Sequence, residues 1–176
     1  MAHKEQLKFV EGVKLMFPDM FKDRHVLEIG SMNINGTVRI FFSNCFYHGI
    51  DVAQGKCVDE VSWAHEHNGG PYDTIISCET LEHDPFLNKT LTKIPTLLKP
   101  DGLLVITAAG PNRKEHGTLT NSPHLSGTCK TEYGNYYRNV QKQDLISGLK
   151  LSSEWTFEIN YNNSLTDIYC WAVKNA

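Results

Sequence analysis

The sequence predicts an α/β fold built on a seven-stranded, mostly parallel sheet whose last two strands form an antiparallel hairpin. Short apolar runs alternate with helix-period stretches through residues 4–109. Strands alternating with helices imply right-handed crossovers between parallel strands. Residues 155–163 and 166–175 then form two aromatic-rich runs with the turn Asn162-Asn163-Ser164 between them, the pattern of a hairpin.

The elements follow in order. Over residues 4–17, Leu7, Val10, Val13, Lys14 and Phe17 recur at three- and four-residue steps, an amphipathic helix that Pro18 stops. "HVLEIG" (25–30) is short, apolar and ends at glycine, and reads as a buried strand. Gly36 is expected to open a helix after it. "CFYHGID" (45–51), "CVDEV" (57–61) and "YDTIISCE" (72–79) are the next three strands, and "GLLVITAA" (102–109) is the most apolar. Leu87, Leu91, Ile94, Leu97 and Leu98 fall at helical spacing, and the turn Pro100-Asp101-Gly102 releases the chain into that fifth strand. Pro95 is expected to kink or break this helix. "QKQDLISGL" predicts a short helix before the hairpin.

Residues 110–140 show no periodicity and are rich in Gly, Pro, Ser, Thr, Asn and Tyr. A loop this long is usually a functional lid or disordered, and Tyr133, Tyr136 and Tyr137 favour an ordered lid. A single domain over 1–176 is expected, with a helix within 1–24 and a lid-like loop over 110–140.

Hydrophobic residues at 40% and charged residues at 21% support a packed core. A net charge of -3 and no basic run argue against a nucleic-acid partner. The five cysteines include no C-x-x-C, so reduced thiols in a cytoplasmic protein are expected. The N-terminus carries charges throughout, unlike a signal peptide. No apolar stretch approaches the ~20 residues that span a bilayer, so no membrane partner is expected.

The first strand ends at Glu28-Ile29-Gly30, and a second acid, Asp51, ends the next strand about twenty residues on. An acid there can accept both hydroxyl protons of a ribose. Gly30 lets the backbone approach a ligand closely. A dinucleotide site wants three glycines to admit a pyrophosphate, and Met32 and Ile34 interrupt that pattern. Glu28 would repel a phosphate and suit an ammonium group. An adenosyl amino acid is favoured over NAD.

"VLEIGSMNING", "GIDV", "YDTIISCETLEHDPF" and "LLKPDGLLVITAAG" together resemble the class I S-adenosylmethionine-dependent methyltransferases, over residues 25–110. The resemblance implies a Rossmann-like three-layer sandwich with the final hairpin as its antiparallel edge. It implies S-adenosylmethionine as cofactor and S-adenosylhomocysteine as product. Glu28, Gly30, Ser31, Asn33, Asn35 and Gly36 would surround the methionine end, in a variant loop where asparagines replace glycines. Asp51 would hold the ribose. Trp63, Ala64 and His65 of "VSWAHEH" would lie at the adenine, held more by stacking and backbone N–H groups than by a carboxylate. Cys78 and Glu79 would line the transfer region.

Methyl transfer is an in-line displacement from an activated donor, so alignment matters more than acid–base machinery. His83, after the fourth strand, and His116, in the lid, are the candidate bases. The alternatives are a His83 that orients the following helix and a His116 that is a plain loop residue. His83, Asp84, His116 and His124 show no diagnostic metal spacing, and no metal is expected. Tyr133, Tyr137 and Arg138 are the expected acceptor contacts. Their alternative is lid packing, with Arg138 paired to a surface acid. "HDPF" superficially resembles the amine-positioning motif of nucleic-acid methyltransferases, but it comes late and lacks the second proline. A small hydroxylated or sugar-like acceptor is expected. The rivals are a non-catalytic S-adenosylmethionine-binding module and an NAD-dependent oxidoreductase.

Overall fold

The computed structural model describes residues 3–175. Helix α1 (Lys4–Met16) precedes strands β1 (His25–Ile29), β2 (Phe46–Asp51), β3 (Glu60–Val61) and β4 (Tyr72–Cys78). Helix α2 (Leu87–Leu97), strand β5 (Leu98–Ala109), helix α3 (Lys142–Gly148) and strands β6 (Trp155–Tyr161) and β7 (Asp167–Lys174) follow. The seven strands form one sheet in the order β3-β2-β1-β4-β5-β7-β6. β1 to β5 pair in parallel, and β7 runs antiparallel between β5 and β6.

Period-two alternation divides the apolar residues between two cores. Leu27, Ile75, Leu104 and Ile106 face the side that α2 and α3 cover with Leu91, Ile94 and Leu145. Val26, Ile76, Leu103 and Val105 face the other side, against Val10 and Val13 of α1 and Phe21. The strands therefore read as continuous apolar runs because both faces are covered. Three layers result. Each fully buried Leu or Ile contributes about 1.5–3 kcal/mol of transfer free energy to them. The predicted fold class is borne out.

Several boundaries differ. The helix expected after Gly36 is a four-residue 3₁₀ turn, Val38–Phe41. α1 already packs on that face of the sheet and touches this turn, so little apolar surface is left for a longer crossover helix. The third strand is two residues, not five. α2 runs through Pro95 without a break and ends two residues later. A proline so near the end removes one hydrogen bond rather than a run of them. β5 starts at Leu98, earlier than expected, and runs through the turn, where Asp101 takes a left-handed φ of 58°. Among the described residues, no helix is long and apolar enough to cross a membrane.

Candidate active site

Strand register builds the site. Ile29 lies beside Ile50 of β2 and Ser77 of β4. The three strands therefore end at one level, and Gly30, Asp51 and Cys78 emerge side by side. Between β1 and β4 the strand order reverses, the point where open α/β sheets hold ligands. A cleft of ≈ 840 Å³ opens there.

The turn after β1 is closed by its own hydrogen bonds. The N–H groups of Gly30 and Ser31 both donate to the Ile50 carbonyl, at 2.9 and 3.0 Å. Met32 N–H donates to Asp51 Oδ2 at 3.1 Å, and Asn33 N–H to the Lys56 carbonyl at 2.9 Å. Gly36 N–H donates to Asn33 Oδ1 at 2.9 Å. These five donors are committed within the protein, so they do not form a phosphate cradle. Gly30 sits at φ 78°, and a Cβ there would come within 1.9 Å of Thr80 Oγ1. Glycine is required for the turn to cross the exit of β4.

Glu28 is buried beneath this turn, and its Oε2 lies 3.5 Å from Arg39 Nε. Arg39 is itself held by Asp59 Oδ2 and the Cys57 carbonyl, both 2.6 Å from Nη2. Burial pushes the Glu28 carboxyl up to about 7, outweighing the opposing pull of Tyr47 and Arg39. Burial also raises Asp51, against its backbone hydrogen bonds. Ser31 Oγ is buried with no hydrogen-bond partner among the described residues.

On the far side, Trp63 meets Phe86 and Tyr133 edge-on, with ring centroids 5.2 and 5.8 Å away. Asp84 precedes α2, accepting from Phe86 N–H at 2.7 Å and from the Thr90 hydroxyl at 2.5 Å.

The chain leaving β4 is strained at Glu79, whose φ is 54°. Glu79 N–H donates to the Thr107 carbonyl, and the Thr107 hydroxyl returns a bond to Glu79 Oε1 at 2.9 Å. Burial raises the Glu79 carboxyl, but His3 and Thr107 hold it below its ordinary value. Burial drives Glu82 up to about 8 and His83 down to about 3. His83 is therefore neutral across the physiological range and a weak proton acceptor. Burial pushes the Cys78 thiol up to about 12, so it is no nucleophile.

Residues 110–140, the segment expected to act as a lid, carry two 3₁₀ turns, Pro123–Leu125 and Gly127–Lys130. The segment is stapled to the β4 exit. Arg138 N–H donates to the Glu82 carbonyl at 2.9 Å, and the Thr128 hydroxyl donates to the His83 carbonyl at 3.1 Å. A Cβ on Gly127 would lie 2.5 Å from Asp51 Oδ1, so the lid backbone rests directly on that acid.

Glu28, Gly30, Ser31, Asn35, Gly36, Asp51, Trp63, Ala64, Cys78, Glu79 and His83 line the cleft. Asn33, His65, His116, Tyr133, Tyr137 and Arg138 do not. Asn33 builds the turn instead, and His65 packs on Phe86 with centroids 4.5 Å apart. Tyr133 packs on Trp63, which lines the cleft, and on Phe86. His116 and Tyr137 stand one layer behind, 5.2 and 5.6 Å from the His83 ring. Arg138 adopts the alternative, an acid pair: its guanidinium meets Asp144 of α3 at 2.5 Å, because the chain re-enters α3 there. Sequence reasoning missed Gln6, Met32, Asp84 and the stretch 125–128 as lining residues. Gln6 was detectable, since it shares the buried helical stripe with Val10 and Val13. The 125–128 stretch left no periodic signal.

The sheet order, the antiparallel final strands and the acid-and-glycine cleft define the class I S-adenosylmethionine-dependent methyltransferase fold. A family model described as a methyltransferase domain matches residues 1–143, and the chain belongs to that family. No curated protein matches the sequence significantly. Among solved structures, a Clostridium acetobutylicum S-adenosylmethionine-dependent methyltransferase is 10% identical with a TM-score of 0.66, over 100% of this chain and 93% of that one. The 1,6-didemethyltoxoflavin-N1-methyltransferase of Burkholderia thailandensis is 13% identical with a TM-score of 0.65, over 97% and 80%. A phosphoethanolamine N-methyltransferase of Haemonchus contortus is 15% identical with a TM-score of 0.59, and this chain, covered to 96%, spans 52% of it. At such identities the likeness concerns the fold.

Proposed function

We propose that this chain binds S-adenosylmethionine in the cleft and transfers its methyl group to a small-molecule acceptor. One observation carries the reading. A buried acid, Glu28, and a half-buried one, Asp51, flank a turn whose N–H groups at Gly30, Ser31, Met32, Asn33 and Gly36 are used internally. That arrangement suits an ammonium and a ribose better than a pyrophosphate, which needs a row of free N–H groups and no neighbouring acid.

The residues fit the cofactor. Glu28 Oε2 meets Arg39 only at 3.5 Å, and Ser31 Oγ awaits a partner among the described residues. Glu28, Ser31 and the Asn35-Gly36 segment would hold the amino-acid end, Asp51 the ribose, and Trp63 and Ala64 the adenine. Bound S-adenosylmethionine supplies a methyl group already activated as a sulfonium. The protein's part is to bind, to align the acceptor and to exclude water. Glu79 and His83 stand beside the transfer region. His83 positions the acceptor rather than removing its proton, because burial makes it so weak a base.

The lid and Gln6 of α1 close over the cleft, which leaves room for a compact acceptor. Relatives of the fold that act on small molecules support that class. A hydroxylated or sugar-like metabolite is the acceptor we favour, and a net charge of -3 disfavours a nucleic acid. Unbridged cysteines suit a reducing, cytoplasmic setting.

The test is a thermal-shift comparison of S-adenosylhomocysteine with NAD, followed by a labelled-methyl screen of metabolite, protein and nucleic-acid acceptors. Stabilisation by S-adenosylhomocysteine alone, then label on a small molecule, is the expected result. Stabilisation by NAD alone would decide for an oxidoreductase. Binding without transfer to any acceptor would decide for a non-catalytic module.

A further inference from the structure

Behind the cleft wall, three groups remain without a role in binding the cofactor. Glu82, His83 and His116 each offer one ligand atom, and these atoms lie within 4.8 Å of one another. Glu82 is 0% exposed; the backbone N–H groups of Glu82 and Ala109 approach its carboxylate, but neither oxygen has a partner of good hydrogen-bond geometry among the described residues. His83 is buried and its Nδ1 is also unpartnered there. Buried polar groups left unsatisfied cost free energy, so each requires an explanation.

His116 completes the set. Its Nδ1 lies 3.0 Å from the Lys114 carbonyl, which can only accept. The network therefore assigns the proton to Nδ1 and leaves the Nε2 lone pair free. An imidazole that donates its other N–H to a backbone carbonyl is oriented as metal-ligating histidines are. Gly117 helps to bring this part of the lid close: a Cβ there would lie 2.7 Å from His83 Cε1.

We infer that Glu82, His83 and His116 form a binding site for a divalent first-row transition ion. One carboxylate and two imidazoles suit manganese, cobalt or zinc better than magnesium or calcium, which prefer oxygen donors. Two other histidine–acid clusters provide a contrast. His48, Glu60 and His67 satisfy one another, at 3.0 and 3.3 Å, and His67 also meets the Tyr72 hydroxyl at 2.9 Å. His3, Glu79 and Asp167 have Arg113 as a neighbouring cation, 2.8 Å from Asp167. Neither cluster needs an ion.

His83 lines the cleft while Glu82 and His116 do not, so an ion held by all three sits behind the wall, with His83 between it and the space left for the acceptor. Held there, it would fix the His83 ring against the acceptor space and place positive charge behind it. This corollary rests on the methyl-transfer reading; the site itself does not.

The experiment titrates chelator-treated protein with Co²⁺, read by visible absorption and by calorimetry, with S-adenosylhomocysteine titrated in parallel. The wild type is expected to bind one equivalent. Glu82→Gln and His116→Ala are each expected to weaken binding at least about tenfold, while His48→Gln keeps it. Circular dichroism checks each fold, and His116→Ala, in a half-buried lid position, decides if Glu82→Gln fails to fold. No Co²⁺ binding by the wild type overturns the site. Undiminished binding by His116→Ala, or loss in His48→Gln alone, overturns it too. Absent S-adenosylhomocysteine binding with Co²⁺ binding intact would sink the methyl-transfer reading and leave the metal site standing.

Discussion

Asp51 Oδ2 accepts the Met32 N–H at 3.1 Å, so the acid that ends β2 also closes the turn that follows β1. Its Oδ1 accepts more loosely from Ala53, at 3.3 Å. Asp51→Ala is expected to weaken S-adenosylhomocysteine binding by about 1–3 kcal/mol, from lost charge-assisted hydrogen bonds. Asp51→Asn should recover part of this, because an amide oxygen can still accept from Met32. Calorimetry measures both, and unchanged affinity in the alanine variant would mean that Asp51 holds no ribose.

Glu28 is expected to make cofactor binding pH-dependent. Its carboxyl is raised from 4.5 to about 7 by burial, so the folded protein holds a proton that the unfolded chain has released. The stability this group contributes is fully present below the unfolded value and is lost as pH rises through about 7. Binding an ammonium needs the ionised form, so affinity moves the other way. S-adenosylhomocysteine should bind several-fold more tightly at about pH 8 than at about pH 6. Glu28→Gln should flatten that dependence. A wild-type profile as flat as the variant's would remove Glu28 from the site.

Gly127 tests the lid. A Cβ there would lie 2.5 Å from Asp51 Oδ1, and Gly127→Ala must push the two apart. Overpacking of this kind costs about 1–3 kcal/mol. S-adenosylhomocysteine affinity should fall accordingly, and the ligand should protect residues 110–140 less well from limited proteolysis. Wild-type affinity and protection would show that the lid does not close on Asp51.

Trp63 reports occupancy. It lines the cleft and anchors Tyr133 of the lid, whereas Trp155 and Trp171 belong to the terminal hairpin. S-adenosylhomocysteine should change the tryptophan fluorescence of the wild type, and Trp63→Phe should abolish the change. Trp63→Ala should also weaken binding, since each aromatic pair contributes about 0.5–1.5 kcal/mol beyond burial. A full signal retained in Trp63→Phe would place the ligand elsewhere.

The cofactor half of the candidate site was legible in the sequence because it sits at strand ends. Glu28, Gly30 and Asp51 emerge together once β1 and β2 pair, and strand pairing follows from the apolar runs. The acceptor half was not. Arg138 and Asp144 are six residues apart, and only the path of the lid into α3 turns the guanidinium away from the cleft. Glu82 was passed over because nothing local distinguishes a buried carboxyl from an exposed one. His116 reaches His83 across a loop that has no period to follow.

What the sequence determined by itself was the sheet, its antiparallel edge and the acid-and-glycine turn. Side-chain periodicity and backbone preference act over a few residues and can be read locally. Tertiary structure alone decided that Gly127 lies on Asp51, that Arg138 pairs with Asp144, and that Glu82, His83 and His116 meet. Those contacts join segments tens of residues apart, and their energies depend on burial and partners, which exist only after the chain has folded.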